Sequence, residues 1–322
     1  MRIQIKKFIV LILKFSARVL ASCIRRWRWV DVEPFYEIFK KYDFYFLPKH
    51  YFLPIPDDDD MKFACESELV GINMRDDFQM EFTHAVVLKY KSEFDTFPEY
   101  ESNNNRLQYF MINGTFMTGD GHAYYSLIRD IKPATIIEIG SGQSTLLANH
   151  AIDKNFEECT KDTCQLKVID PYCAYKLEKL KRLTELKNCK LQEVGLNYFH
   201  QLKSGDILFI DSSHTLKSGG DVWMEYCEII PRLNSGVYVH IHDISLPMPY
   251  STSYYHSHWY WNEQYVLQTL LTNNDKLEVV WAGNYLFHKY PKEMTTAFSP
   301  GYDMMRKIYP QAGPCSFWIR VK

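Results

Sequence analysis

Two short clusters in the 322-residue chain hold residue types suited to acid–base and metal chemistry: Asp211-Ser212-Ser213-His214 and His240-Ile241-His242-Asp243. Each follows an apolar run, Ile207 to Ile210 and Val237 to Val239, that reads as a buried strand, so the polar ends are expected to emerge together at one sheet edge. Asp211, His242 and Asp243 would then converge on one hard divalent ion, and carboxylates with an otherwise hydrated shell suit Mg²⁺. His214, one short turn beyond Asp211, would face a substrate and take a proton from a hydroxyl whose acidity the metal raises. Simpler roles compete: Asp211 or Asp243 as a helix cap, and His240 as a satisfied core histidine. His240 and His242 share a strand face, and His242 is favoured only by lying nearer the strand end, with zinc the minor alternative metal.

A third cluster, Glu138-Ile139-Gly140-Ser141-Gly142-Gln143-Ser144, follows an earlier apolar run and opens a helix. Gly140 and Gly142 let the backbone turn sharply and approach a ligand, and the helix beginning at Ser144 presents free N–H groups. Asp170, at the end of the next run in Val168-Ile169-Asp170-Pro171, is placed to accept hydrogen bonds from ribose hydroxyls, with Glu138 at the preceding strand end. The loop lacks the third glycine of a dinucleotide fingerprint and the lysine of a phosphate-binding P-loop. A cofactor with a ribose but no pyrophosphate fits best, and S-adenosylmethionine is the common one.

The elements that must position these clusters alternate. From about Tyr124 the pattern predicts a helix ending near Asp130, strand Thr135–Ile139, helix Ser144–Ile152, strand Gln165–Ile169 and helix Tyr175–Lys187. Strand Asp206–Ile210, helix Gly220–Ile230, strand Gly236–Ile241, helix Asn262–Leu271 and two late β runs, Leu277–Trp281 and Ser316–Val321, complete it. Such alternation indicates an α/β fold, a mostly parallel sheet with helices on both faces, whose ligands bind beyond the carboxyl ends of the strands. On this count the Asp211 and His242–Asp243 clusters end the third and fourth strands. Residues 31–110 are aromatic-rich and lack the alternation, with short helices expected near Glu33–Lys41 and Met80–Tyr90; they read as an accessory or lid layer before a main domain at 111–322.

Residues 1–30 differ again. The overall formal charge is −2, yet Met1 to Arg28 holds eight basic residues (Arg2, Lys6, Lys7, Lys14, Arg18, Arg25, Arg26, Arg28) and no acid, leaving −10 on the rest. Lys7, Lys14, Arg18 and Arg25 fall in one helical stripe about 40° wide, which reads as a basic amphipathic helix for an anionic membrane surface or a targeting signal, with an ordinary helix packing its apolar side on the body as the simpler alternative. The longest uncharged apolar run, Phe8 to Leu13, is too short for a confident membrane span. The average charge gives no argument for nucleic acid. Eight cysteines are too dilute for a disulfide scaffold, and Cys159 and Cys164 lack zinc-site spacing.

With these motifs in place, the chain resembles class I S-adenosylmethionine-dependent methyltransferases, in the branch related to cephalosporin-hydroxylase-like and macrolide-sugar O-methyltransferases. The matching strings run from about Phe46 to Arg320: HYFLPIPD, NGTFMTGDGHAYYSLIRDIKP, IIEIGSGQS, VIDPY, GDILFIDSSH, GVYVHIHDI, WNEQY and SFWIR. The resemblance implies a Rossmann-like, seven-stranded sheet with an antiparallel last strand, methyl transfer to oxygen, and Mg²⁺ at the Asp211 and His242–Asp243 positions. His242 departs from the second acid of those relatives. Asn113 and Asp120 match polar positions expected to border the cofactor's amino-acid end or the substrate. The acceptor implied is a sugar, glycan or glycosylated small molecule, with a phenolic metabolite second. Two other classes share parts of the pattern: a nicotinamide oxidoreductase, and a non-catalytic membrane-tethered binding protein that keeps the fold. Tyr254, Tyr255, Trp259, Tyr260, Trp261 and Tyr265 form an aromatic stretch suited either to ring stacking or to a packed cap. Glu263 reads as favouring a helix N-terminus.

Overall fold

A computed structural model describes residues 2–25, 33–45, 47, 49, 51–102, 106–161, 163–173 and 175–322. Arg26 and Arg28 of the basic arm, Phe46 at the start of the resembling stretch, and His50 of its first string lie outside the described residues. The chain divides into two compact units, Met1–Asp58 and Asp59–Lys322.

In the first unit, a helix spans Arg2–Arg25 and a shorter one Glu33–Lys40. Phe8, Leu11, Leu13 and Phe15 of the long helix are all exposed, as are Lys6, Lys7, Lys14 and Arg18. Among the described residues no helix is long and apolar enough to cross a membrane.

The second unit is built on a seven-stranded sheet of order β3-β2-β1-β4-β5-β7-β6: β1 Thr135–Ile139, β2 Gln165–Ile169, β3 Leu183–Lys187, β4 Ile207–Ile210, β5 Tyr238–Ile241, β6 Leu277–Ala282 and β7 Phe317–Val321. The first five are mutually parallel, and β7 runs antiparallel to both β5 and β6. This is the Rossmann-like methyltransferase architecture. The apolar runs are buried because helices cover both faces: every residue of β1 and β4 is buried. Each fully buried Ile or Leu there contributes on the order of 1.5–3 kcal/mol of transfer free energy.

Three expected elements are corrected. Tyr175–Lys187 is not one helix but a 3₁₀ turn, Leu177–Lys179, followed by β3. Leu177, Leu180, Leu183 and Leu186 recur at a helical interval, yet the backbone of Leu183–Lys187 pairs with the open edge of β2, and this long-range ladder overrides the local period. The Asp211 and His242–Asp243 clusters therefore end the fourth and fifth strands. The helix expected over Gly220–Ile230 is Asp221–Met224 followed by a π-helical turn, Glu225–Ile229, and the one near Met80–Tyr90 is Asp76–Phe82 with a π-helical turn at Thr83–Val87.

Residues 59–110 are sewn into the sheet's edge. The buried Gln79 side chain accepts a hydrogen bond from the Ala282 N–H at 2.7 Å, and Thr83 Oγ1 accepts from the Trp281 indole at 3.1 Å, so both tie the segment to β6. His240 lies in the core, stacked 3.9 Å from Phe209 with Nε2 against Ser316 Oγ at 2.7 Å. Burial there holds its imidazole well below the ordinary range.

Candidate functional site

β1 and β4 are neighbours whose following strands, β2 and β5, lie to opposite sides of the pair, so a crevice is expected beyond their carboxyl ends. Strand pairing brings those ends level: the Asp211 N–H donates to Ile139 O at 2.9 Å and the Gly140 N–H to Ile169 O at 3.0 Å. Gly140 has φ +87°, and a Cβ on it would lie 2.0 Å from the Asp211 carbonyl oxygen. Only glycine permits that approach. At Gly142 a Cβ would meet nothing within 4 Å, so the space before the helix Gln143–Glu158 is open. The cleft there holds about 610 Å³ and is lined by Gly140, Ser141, Asp170, Leu191, Asp211 and Gly220 among others. That volume suits a nucleoside-sized ligand. Gly140→Ala combines left-handed strain of about 1–2 kcal/mol with a backbone clash. We expect it to lower the thermal unfolding midpoint by several degrees and to remove cofactor binding, as read by scanning fluorimetry with and without S-adenosylhomocysteine.

Asp170 stands on the cleft wall, its Oδ2 accepting from Ser141 Oγ at 2.5 Å and its Oδ1 from the Tyr172 N–H at 2.7 Å. Glu138 and Ser144 do not line the cleft: they are buried beneath the glycine loop and hydrogen-bonded to each other. Burial pushes the Glu138 carboxyl up to about 8 against the opposing hydrogen bonds from Ser144 and Thr145.

At the ends of β4 and β5, Asp211, His214 and Asp243 present one donor atom each, all within 4.8 Å of one another. His214 Nε2 lies 3.4 Å from Asp211 Oδ1 and 3.3 Å from Asp243 Oδ2. His242 sits slightly farther back, Nδ1 3.7 Å from Asp211 Oδ1 and 3.5 Å from Asp243 Oδ2, with Nε2 turned toward Asp120 at 3.7 Å. The trio expected as Asp211, His242 and Asp243 is thus a group of four in which His214 approaches the carboxylates more closely than His242. Burial alone would raise the Asp211 carboxyl, but the charge of His242 and the hydrogen bond from His214 hold it well below the usual range. Burial would lower both imidazoles, yet the hydrogen bonds from His214 to Asp211 and Glu263, and the charges of Asp243 and Asp211 beside His242, raise them above theirs.

Two of these residues are held in the left-handed region, His214 at φ +57° and Asp243 at +56°. For non-glycine residues this costs about 1–2 kcal/mol each and persists where the surroundings over-determine it. For His214 those surroundings are the start of the helix Glu263–Leu271: the Asn262 and Glu263 N–H groups donate to His214 O at 3.0 and 3.2 Å.

Asn113 and Asp120 are not brought to the cleft. Asn113 Nδ2 donates to Phe110 O and Phe116 O at 2.7 and 2.9 Å, and its Oδ1 accepts from the Thr115 and Phe116 N–H groups, closing a turn. Asp120 opens the helix Asp120–Ile131 and accepts from the Cys315 and Ser316 N–H groups at 2.9 and 2.7 Å, pinning the start of β7. Both were expected to border the cofactor's amino-acid end or the substrate; the Asn113 side chain is taken up by the backbone, whereas Asp120 also faces His242 Nε2 at 3.7 Å, behind the cluster.

Glu263 is the residue that sequence reasoning undervalued. It is fully buried, its Oε2 accepting from His214 Nδ1 at 2.9 Å and its Oε1 from Tyr226 OH at 3.0 Å. The string WNEQY contained it, but a glutamate in a first helical turn looks alike whether it faces solvent or an imidazole. Trp261 packs its ring 4.4 Å from that of His214, with Trp259 stacked on Trp261 at 5.5 Å and Tyr254 4.6 Å from Trp261. The aromatic stretch therefore adjoins the cluster, and Trp259 is 51% exposed.

Comparison with known proteins fits this geometry. Residues 137–244, from β1 through the end of the β5 cluster, match the family described as "Methyltransferase domain". An uncharacterized protein of Archaeoglobus fulgidus is 29% identical over 173 residues, 50% of this chain and 76% of that protein. No solved structure matches significantly. The matched segment spans the glycine loop, the cleft carboxylate and both clusters, and it lies within a seven-stranded sheet of Rossmann-like topology, so over these residues the chain is similar to the methyltransferase-domain family.

Proposed function

We propose that the protein is an O-methyltransferase that moves the methyl group of S-adenosylmethionine to a hydroxyl of a sugar, glycan or glycosylated small molecule. The observation that carries this reading is Asp211, which lines the glycine-loop cleft and also belongs to the carboxylate–imidazole cluster. A nucleoside held at the loop and a hydroxyl held at the cluster would meet across that one residue. Asp170 and Ser141 would receive the ribose, with Gly142 leaving room at the helix N-terminus.

In the transfer, the sulfur–methyl bond breaks as the oxygen–methyl bond forms, S-adenosylhomocysteine leaves, and the hydroxyl proton passes to His214 Nε2. Holding sulfur, carbon and oxygen in line supplies much of the rate. Asp211 and Asp243 would hold a divalent cation, with His242 beside them; their oxygens converge within 4.8 Å with a nitrogen of His214, which places the imidazole against the same space. Bound there, Mg²⁺ would polarise the acceptor hydroxyl. The wall of Tyr254, Trp259 and Trp261 supports a ring-shaped acceptor, since an aromatic face packs against the apolar face of a sugar.

Calorimetry tests the first half: micromolar affinity for S-adenosylhomocysteine is expected, and no affinity for it or for S-adenosylmethionine overturns the reading. Labelled methyl transfer to a panel of glycans, glycosides and phenols tests the second.

The basic arm fits an anionic membrane surface, because Lys6, Lys7, Lys14 and Arg18 accompany exposed Phe8, Leu11 and Phe15 on one helix. Removal of residues 1–28 is expected to abolish sedimentation with phosphatidylglycerol-containing vesicles and leave turnover unchanged. Equal sedimentation of the full and shortened chains, or lost turnover in the latter, would count against a tether.

A further inference from the structure

We infer that Trp259 is the specificity-determining residue of the acceptor site, the platform for an uncharged sugar ring next to the ring that is methylated. The acceptor then carries at least two rings; this rests on the reading of the protein as a sugar O-methyltransferase.

A row of aromatic rings leads outward from the carboxylate–imidazole cluster. Trp261 lies 4.4 Å from the His214 ring and 5.5 Å from that of Trp259, the two indoles within 16° of parallel. Tyr250 and Tyr254 close in on Trp261 at 5.9 and 4.6 Å, so its ring is taken up by packing. Trp259, at the outer end of the row, is 51% exposed. Along this row Trp261 stands between Trp259 and His214, so a ring laid on Trp259 is a neighbour of the methylated ring and not that ring itself.

The indole is held out in a defined turn. The helix Thr252–His256 ends where the His258 and Trp259 N–H groups donate to Tyr255 O and Tyr254 O at 3.0 and 2.9 Å. His258 has φ +62° there, a left-handed backbone unfavourable for a residue with a Cβ. The chain thus accepts local strain in the turn that presents a large apolar ring to solvent, where burial would otherwise be favourable.

The composition of the segment selects the class of ligand. Between Asp243 and Glu263 there is no Asp, Glu, Lys or Arg, so nothing in this stretch pairs with a phosphate, a carboxylate or an amine. Exposed Ser253, His256, Ser257 and His258 accompany Trp259 instead. An aromatic face edged by hydroxyl and imidazole groups matches a sugar, whose ring face is C–H and whose rim is hydroxyl. A phenol would cover the indole and leave that polar edge without a partner.

The test uses the full chain labelled with fluorotryptophan, the Trp259 fluorine resonance being assigned from its loss in Trp259→Phe, and methyl glycosides of one and two neutral sugar rings as probes. With S-adenosylhomocysteine bound, two-ring glycosides are expected to shift that resonance, and one-ring glycosides and phenols to leave it in place. In turnover, Trp259→Ala should raise KM for two-ring acceptors about 3- to 10-fold, toward the one-ring value, with kcat and S-adenosylhomocysteine affinity retained, and Trp259→Phe should recover part of the loss. A Trp259 resonance that no glycoside moves, an equal shift from one-ring glycosides, a shift from phenols alone, or an unchanged KM in Trp259→Ala would overturn the inference. So would a changed oligomeric state of Trp259→Ala in size-exclusion chromatography, because the indole would then be a contact between copies of the chain. A Trp259 shift with two-ring glycosides, but no methyl transfer to any of them, would instead remove the methyl-transfer reading and leave Trp259 as a sugar platform.

Discussion

His214→Asn is expected to reduce kcat by about 10²- to 10⁴-fold while S-adenosylhomocysteine binds as in the wild type, the range contributed by a positioned general base. Asparagine is the appropriate replacement because His214 occupies φ +57°, a region asparagine tolerates and alanine resists. Its amide cannot accept a proton as an imidazole does, so the loss falls on chemistry rather than on the backbone. His214 is absent from the residues lining the glycine-loop cleft, which is why cofactor affinity should survive. Calorimetry with S-adenosylhomocysteine and turnover of the same sample separate the two effects. Undiminished turnover would remove His214 from the reaction, and lost cofactor affinity would make it part of the binding site instead.

Asp243→Asn is the second large effect. The residue also has a left-handed backbone, φ +56°, so asparagine keeps the turn while deleting the charge that faces both His214 and His242. If Asp211 and Asp243 hold a divalent cation, affinity for Mn²⁺, followed by the loss of its free-ion resonance, should fall at least about 100-fold, beyond the 10- to 100-fold effect of an outer-sphere partner. Turnover should fall with it. Wild-type Mn²⁺ affinity in the variant would mean that the carboxylates serve the two imidazoles rather than a cation. Asp211→Asn is a poorer first test, because Asp211 also lines the cleft and its loss would mix cofactor and cluster effects.

The contrast between Asp211 and Glu263 shows where the sequence was legible. Asp211 follows an uninterrupted apolar run, while Asp243 and Asp170 follow largely apolar runs broken by His240 and His242 or by Lys167, and in a parallel sheet such runs are strands whose carboxyl ends share an edge. Their convergence therefore follows from pattern and topology alone. Gly140 was legible for the same reason: a glycine at a strand end before a helix marks a turn that a Cβ would block, and the 2.0 Å approach to Asp211 O is that turn's geometry. β3 was not legible, because its leucines recur at a helical interval and only the unpaired edge of β2 makes it a strand.

What the sequence by itself determined is the order of strands that carry chemistry, the glycine loop and the acids at the strand ends, because buried strands and tight turns restrict residue type locally. The tertiary structure alone decided that His214 approaches the carboxylates more closely than His242, that Asn113 is spent on backbone partners while Asp120 faces both the Cys315–Ser316 backbone and His242, and that Glu263 reaches back to His214. The physical reason is that side-chain direction and tautomer depend on which polar groups meet once water is excluded. Those meetings join residues far apart in the chain, and no local pattern encodes them.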